Sequence, residues 1–380
     1  MKKNFFMLAA TAALFAACAE TDLVNELNLE SNGQEIGFST FASKVTRAEN
    51  NQTDYKWSLK DHHTSFTVYA GKLIADPNGS ATTHAVYSNS EEGTVSYLTE
   101  GGWTADPKKY WDKTATEYYF YAGAPKAAEW EFAMKNANDY STGYLTYAGF
   151  TLKGENLADA TDEHKINWSW NVDGVNDDID LMIAAPCTVK RAAYNKATAD
   201  VVNLQFNHIL SRLSIKVAKG ANIDADQELK LTSLVVFNMK STGDFNEGNK
   251  AADQTPMIDR WTTGSTTYQL PACNVANAIT DAIYTHQYLV IPQQVKFEDI
   301  DTSGISDNEE AYFRIDYTIA GEPYYAYYNL AHAFGQNVAL NFQEGWENTL
   351  TITINPNTIV FDAKVSEWQD YVGNGAVIVN

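Results

Sequence analysis

Residues 201–217 read VVNLQFNHILSRLSIKV, and the alternation of apolar positions in this stretch decides the fold class. Val202, Leu204 and Phe206 are separated by polar neighbours, the period-2 pattern of a strand with one buried face. Leu213, Ile215 and Val217 repeat the pattern with the opposite parity. A single unbroken strand would therefore turn one of the two apolar sets toward water. A one-residue offset is needed between them, and a bulge or one helical turn across His208 to Arg212 supplies it.

Outward from this segment the same period recurs along the chain. It is read in SFTVYA (65–70), in YYFYA (118–122), in LKLTSLVVFNM (229–239) and in YLVIP (288–292). In TLTITI (349–354), Leu350, Ile352 and Ile354 form one apolar face. Turn chemistry such as Pro77-Asn78-Gly79 separates the runs, and no helical period persists beyond about three turns. Aromatic residues make up 13%, with 22 Tyr, 17 Phe and 9 Trp, which suits pleated surfaces better than helix bundles. The expectation is an all-β chain of two sandwich domains, 48–215 and 216–380, joined near residues 200–225.

Charge and cysteine content exclude whole classes of function. Lys and Arg number 27 against 48 Asp and Glu, a formal charge of −21, so a nucleic-acid partner is not expected. Three cysteines with no CxxC pair point away from a disulfide scaffold and from thiolate metal chemistry. The seven histidines form no HExxH or His-x-His pattern, and His208 reads as a packed, hydrogen-bonded residue. Acidic clusters at 173–180 and 298–310 do not fit a calcium loop, and no metal or other cofactor is expected. Neither a nucleophile elbow nor a phosphate loop is present, so the chain is not read as an enzyme. Trp168 and Trp170 share a strand face and fit sandwich packing better than sugar stacking. Cys187 and Cys273 fall in different halves of the chain, and a disulfide between them is not expected.

The N-terminus carries an address. Lys2 and Lys3 precede an apolar run at 5–15 that is too short to span a membrane, so residues 1–17 read as an export signal. The run closes on Leu14-Phe15-Ala16-Ala17-Cys18, which resembles the lipobox of bacterial lipoproteins. That resemblance implies acylation of Cys18 and an outer-membrane tether for the precursor. Residues 19–34 are acidic and polar, a linker composition. In EIGFS (35–39), Ile36 and Phe38 fall on one face, and a polar loop follows at 43–51.

Several segments, taken in order, resemble the fimbrillin family of type V pili. They are Cys18, EIGFSTFASKVTRAE (35–49), YWDKTATEYYFYAGAP (110–125), DLMIAAP (180–186), the 204–217 stretch, YLVIPQQV (288–295), and FQEGWENTLTITIN with VSEWQDYVGNGAVIVN at the end. The resemblance implies two transthyretin-like β-sandwich domains in tandem and a polymer built by donor-strand exchange. Residues 18–47 then form a lipidated propeptide whose Ile36 and Phe38 fill a groove. Cleavage after Arg47, leaving Ala48 as the new N-terminus, releases them. The donor is the β-branched tail, Ala376, Val377, Ile378 and Val379, read together with 359–365. The implied partners are other fimbrial subunits, in a homo- or heteropolymer, and a host or bacterial surface ligand. The implied location is the outer membrane first and the fimbrium after processing. A second reading keeps Cys18 in a surface-anchored lipoprotein or tip adhesin that captures a glycan or host ligand.

Overall fold

The computed structural model describes residues 33–42, 59, 63–75, 81–98, 102–127, 129–152, 179–195, 200–249, 258–265, 267–268, 278–279, 284–297, 311–336 and 338–367. The protein is all-β. In its first half the strands are β1 (Phe38–Ala42), β2 (Ser65–Ala75), β3 (Ala81–Tyr87), β4 (Gly93–Leu98), β5 (Gly102–Asp106), β6 (Ala115–Ala124), β7 (Trp130–Met134), β8 (Gly143–Thr151), β9 (Met182–Ala184), β10 (Cys187–Lys190) and β11 (Val202–His208). The second half contributes β12 (Ser211–Lys219), β13 (Leu229–Phe237), β14 (Met239–Lys240), β15 (Thr242–Asn246), β16 (Trp261–Thr263), β17 (Thr267–Tyr268), β18 (Ala278–Ile279), β19 (Tyr284–Val290), β20 (Gln293–Lys296), β21 (Tyr312–Ile319), β22 (Glu322–Asn329), β23 (Ala339–Phe342), β24 (Trp346–Ile354) and β25 (Ile359–Glu367).

The first sheet closes on itself. Its order is β10-β6-β9-β11-β1-β5-β4-β2-β3, and β2 also pairs with β6. The pairings therefore run in a ring, β6-β9-β11-β1-β5-β4-β2 and back to β6, with β3 and β10 flanking it. A closed ring leaves no strand of its circuit as an open edge, although its thinnest seam, β1 with β5, pairs at one position. Inside it lie Phe66, Val68, Trp111, Tyr118, Phe120, Val202, Leu204 and Phe206, all buried. The inward side chains of β11 are the alternate positions expected for the first parity set of 201–217.

The second half is a sandwich. A sheet ordered β19-β12-β24-β25 faces one ordered β18-β13-β21-β22, and Leu213, Ile215, Val217, Leu234, Val236, Phe313, Ile315, Leu350 and Ile352 fill the space between them. At its centre β12 runs parallel to β24, with Leu213 opposite Asn348 and Ile215 opposite Leu350. This pairing joins partners more than 130 residues apart, so it carries a large loop-closure entropy cost.

The parity switch in 201–217 has a different cause from the expected bulge or helical turn. Val202–His208 belongs to the ring and Ser211–Lys219 to the sandwich, so the offset is a change of sheet. Ile209 and Leu210 make the crossing and are fully buried in a third cluster with Trp130, Tyr147, Phe245, Trp261, Leu289 and Ile291. Their backbone is satisfied from both sides. Ile209 N–H donates to Leu181 O (3.0 Å), Trp261 Nε1–H donates to Ile209 O (2.8 Å), and Gly345 N–H donates to Leu210 O (2.8 Å). Such pairing is what lets a connection run through an interior. The same cluster sits under a sheet ordered β16-β15-β8-β7, in which β15 and β16 from the second half extend the β7–β8 ribbon of the first.

Candidate assembly site

The strand that closes the ring is the N-terminal one. β1 lies parallel to β11, with Phe38 opposite Val202, Ser39 opposite Asn203, Thr40 opposite Leu204, Phe41 opposite Gln205 and Ala42 opposite Phe206. On its other side it meets β5 at one ladder position, Phe38 with Trp103. Just before the strand, Ile36 N–H donates to Lys109 O (2.9 Å) and Trp111 N–H donates to Gln34 O (2.9 Å), while Val202 N–H donates to Gly37 O (2.8 Å). Residues 34–42 thus fill a slot with three backbone walls: β11, the start of β5, and the 109–111 segment.

Two apolar anchors hold this strand. Ile36 is 1% and Phe38 5% exposed, and the Phe38 ring stands edge-on to Phe66 (6.2 Å) and Phe120 (6.0 Å). Burying two such side chains contributes about 3 to 6 kcal/mol as an upper bound. Other features of the strand are less well made. The Thr40 hydroxyl is buried without a hydrogen-bond partner among the described residues, which costs about 1 to 3 kcal/mol. Ser39 Oγ reaches Asn203 Oδ1 on the parallel neighbour, and Glu35 accepts from Lys108 Nζ (2.8 Å) at the surface. The hydrogen bond to Glu35, and then its charge, raises the Lys108 ammonium above its ordinary value.

The 109–111 wall is braced by Asp112. Thr114 donates to Asp112 Oδ1 through its amide (2.8 Å) and its hydroxyl (2.6 Å), Lys72 Nζ donates to Oδ2 (3.2 Å), and the Asp112 N–H donates to the Tyr118 hydroxyl (2.6 Å). Burial pushes the Asp112 carboxyl up, but the two Thr114 hydrogen bonds and the Lys72 ammonium outweigh it and hold the carboxyl below its usual range. A carboxyl depressed in the folded state contributes stability above its unfolded value of about 4, and that stability is lost as pH falls through the folded value. Acid unfolding of Asp112→Asn is therefore expected to show a shallower loss of stability below about pH 4 than the parent. Identical acid limbs in urea titrations would contradict this. Nearby, Tyr87 donates to Pro107 O (3.0 Å), and burial, followed by the charges of Glu35 and Glu91, pushes its phenol far above the ordinary value.

Other residues singled out by the sequence lie apart from the slot. His208 Nδ1 is 2.7 Å from Asp180 Oδ2, and both side chains are nearly buried, so Asp180 is spent on a structural pair. The rest of the 173–180 cluster and residues 298–310 lie outside the described residues. Among the described residues no group of three His, Cys, Asp or Glu side chains is placed to hold a metal. Cys187 is half-buried and free, with its thiol pushed up by burial, and Cys273 lies outside the described residues. Cys18, Arg47, Ala48, Trp168, Trp170 and Ala376 to Val379 also lie outside them. Residues 359–365, expected to act with the tail, are instead inside β25, paired along β24 from Ile354–Ile359 to Trp346–Glu367. Their alternate side chains Ile359 and Phe361 pack on the sandwich's own core, which is why this stretch is not left over for a neighbour. Sequence reasoning missed Trp103 and the 109–111 wall. YWDK stands out in the sequence as a segment, but nothing local to it says which strand it faces.

The family described as fimbrillin-like matches residues 46–368. The chain belongs to that family. Among solved structures, this fimbrillin-like chain is similar to a fimbrial protein of Bacteroides vulgatus at 15% identity and a TM-score of 0.45, covering 88% of this chain and 99% of that one. It is also similar to the tip fimbrial protein Mfa3 of Porphyromonas gingivalis with C-terminal truncation, at 9% identity and a TM-score of 0.36, covering 88% and 100%. A fimbrial assembly protein of Parabacteroides distasonis is similar at 11% identity and a TM-score of 0.36, covering 88% and 98%. No curated protein sequence matches.

Proposed function

We propose that this fimbrillin-like chain is a structural subunit of a surface fimbrium and that β1 is a provisional stave, removed so that a strand from the next subunit can close the ring. The proposal divides the chain into a signal at 1–17, a lipidated propeptide at 18–47, and two β-domains, the ring and the sandwich, that meet at the Ile209–Leu210 crossing rather than at the expected 215/216 boundary, which would cut β12. The observation that carries it is the position of β1. Among the described residues it is the one ring strand N-terminal to Arg47, it is held by two apolar anchors, and it touches β5 at a single ladder position.

Cleavage after Arg47 cuts between β1 and β2, so afterwards β1 is held only by non-covalent contacts. Its departure opens a gap of about 9 to 10 Å between β11 and β5, two strand spacings, over a core containing Phe66 and Phe120. An open edge over exposed aromatic surface does not persist in water, and an extended segment added to it gains main-chain hydrogen bonds as well as apolar contacts. The proposed donor is Ala376 to Val379 of a neighbouring copy or of another subunit. In a strand only alternate side chains face the core, so burying about two of them gives an upper bound of about 3 to 6 kcal/mol per junction beyond the main-chain hydrogen bonds. The acylated Cys18 would hold the precursor at the outer membrane and leave with the propeptide. Adhesion to a host or bacterial surface ligand would follow from the fibre's display.

Material isolated from cells is expected to begin at Ala48 and to run as ladders in mild SDS. A chain truncated after Trp368 is expected to begin at the same residue and to give no ladders. Recovery of an acylated Cys18 in the surface form, or ladders from the truncated chain, would overturn the proposal.

A further inference from the structure

The second sandwich carries an interaction edge of its own. β22 ends its sheet, paired with β21 from Tyr312–Asn329 to Ile319–Glu322, and among the described residues no strand pairs with its other side. It is eight residues long, and Tyr324 through Asn329 (YYAYYN) carry no charge, in a chain of net charge −21. Tyr324, Tyr325 and Tyr327 are 43%, 67% and 38% exposed.

Two other edges among the described residues are guarded. β25 carries Asp362 and Lys364, and β3 is overlaid by the turn at Tyr140, whose N–H donates to Thr83 Oγ1 (3.2 Å). Charges, prolines, short strands and coverings are the usual means of keeping an edge from pairing; β22 has a charge and a proline at its start, Glu322 and Pro323, and neither from Tyr324 to Asn329.

The face beside the edge is also arranged for contact. Phe237 and Tyr312 stack at 4.7 Å, Tyr312 and Tyr327 are 6.4 Å apart, and the Arg314 guanidinium lies over Tyr325 (5.2 Å) and Tyr327 (5.4 Å). Arg314 donates to Asp316 Oδ1 at 2.6 and 3.0 Å, so its charge is matched within the same face.

We infer that β22 pairs antiparallel with β22 of a second copy of this chain, joining two four-stranded sheets edge to edge. Two arguments select that occupant. Copies at −21 repel each other over most of their surface, and this strand presents no net charge along its central residues to the approaching copy. The strand is also self-complementary about a two-fold axis. An antiparallel arrangement centred on Ala326 sets Tyr325 of one copy beside Tyr327 of the other and keeps the two Glu322 carboxylates at opposite ends. An edge pair of this length buries less than the roughly 1,200 Å² of a stable complex, so the contact is weak in isolated subunits. It becomes strong when many copies are aligned, as along two neighbouring fibres. Only that last consequence rests on the fimbrial reading.

The test uses the chain from residue 19, which keeps β1 in place and so cannot undergo the proposed strand exchange. Sedimentation velocity is expected to show monomer at about 1 µM and a substantial dimer at about 200 µM. The double variant Tyr325→Glu/Tyr327→Glu is expected to weaken the dimer at least tenfold with an unchanged melting curve, and Val360→Glu on β25 to leave it unaltered. If the double variant does not fold, Tyr325→Glu, at the most exposed ring, decides in its place. Monomer at every concentration, a dimer indifferent to these substitutions, or a dimer that appears only after deletion of residues 368–380 would each overturn the inference. The last outcome would make the chain's own tail the occupant of the edge.

Discussion

A disulfide between positions 39 and 203 is expected to hold the processed subunit as a monomer under oxidising conditions and to release it for polymerisation when reduced. Ser39 and Asn203 are direct partners in the parallel β1–β11 ladder, and their side chains already touch. Direct ladder partners bring Cα atoms within the about 4.4 to 6.8 Å that a disulfide spans. In Ser39→Cys/Asn203→Cys, β1 would stay tied to β11 even after the chain is cut at Arg47, and the slot would remain filled. Cys187 is a poor competitor for the new thiols, being half-buried with its own thiol pushed up. The readout is the SDS-resistant ladder of processed protein with and without reductant. Equal ladders in both conditions would mean that β1 need not leave, and strand replacement at this slot would be wrong. The single variants, processed in parallel, show whether either substitution alone disturbs the fold.

Truncation of Glu344 is expected to destabilise the protein by about 3 to 5 kcal/mol, because it strands a buried arginine. Arg260 Nε donates to Glu344 Oε1 at 3.0 Å, Nη2 contacts Oε2, and the guanidinium lies 5.1 Å from the Phe245 ring centroid. Both side chains are almost wholly buried. The pair ties the turn before β16 to the turn between β23 and β24, and so fixes the ribbon whose Trp261 caps the Ile209 carbonyl at the crossing between sheets. Glu344→Ala measured by urea unfolding should lose a large part of the total stability. Replacing both partners by Arg260→Met and Glu344→Leu should recover most of it, since an apolar pair leaves no buried charge. A change below about 1 kcal/mol for Glu344→Ala would mean that the pair is not the brace the geometry indicates.

The all-β class was legible because strand period is a local property. Val202, Leu204 and Phe206, like Leu350, Ile352 and Ile354, announce their buried faces without reference to anything distant, and they are buried as read. The offset within 201–217 was legible too, but its cause was not. A change of sheet and a bulge shift parity by the same amount, and only the partners of each half distinguish them. Those partners lie far away in sequence, β1 and β9 for one half and β19 and β24 for the other. Ile36 and Phe38 could be placed on one face from their spacing, whereas the slot they fill is assembled from Trp103, the 109–111 segment and β11. No sequence period connects these. The charge-free centre of β22 was equally visible as letters, yet its exposure depends on which strand ends the sheet. Residues 359–365 lie in β25 rather than in the tail, because a β-branched run reads alike whether its neighbour belongs to the same molecule or to another.

The ladder between β1 and β11 joins positions 164 residues apart, with most of the first half strung between them. During synthesis or secretion the opening piece of the protein must therefore wait, unpartnered, until the far wall of its berth has emerged and folded. Such a delay leaves a window in which a helper protein could hold the half-built ring, and it makes vacancy the first condition of this berth, the same condition that the proposed processing would restore.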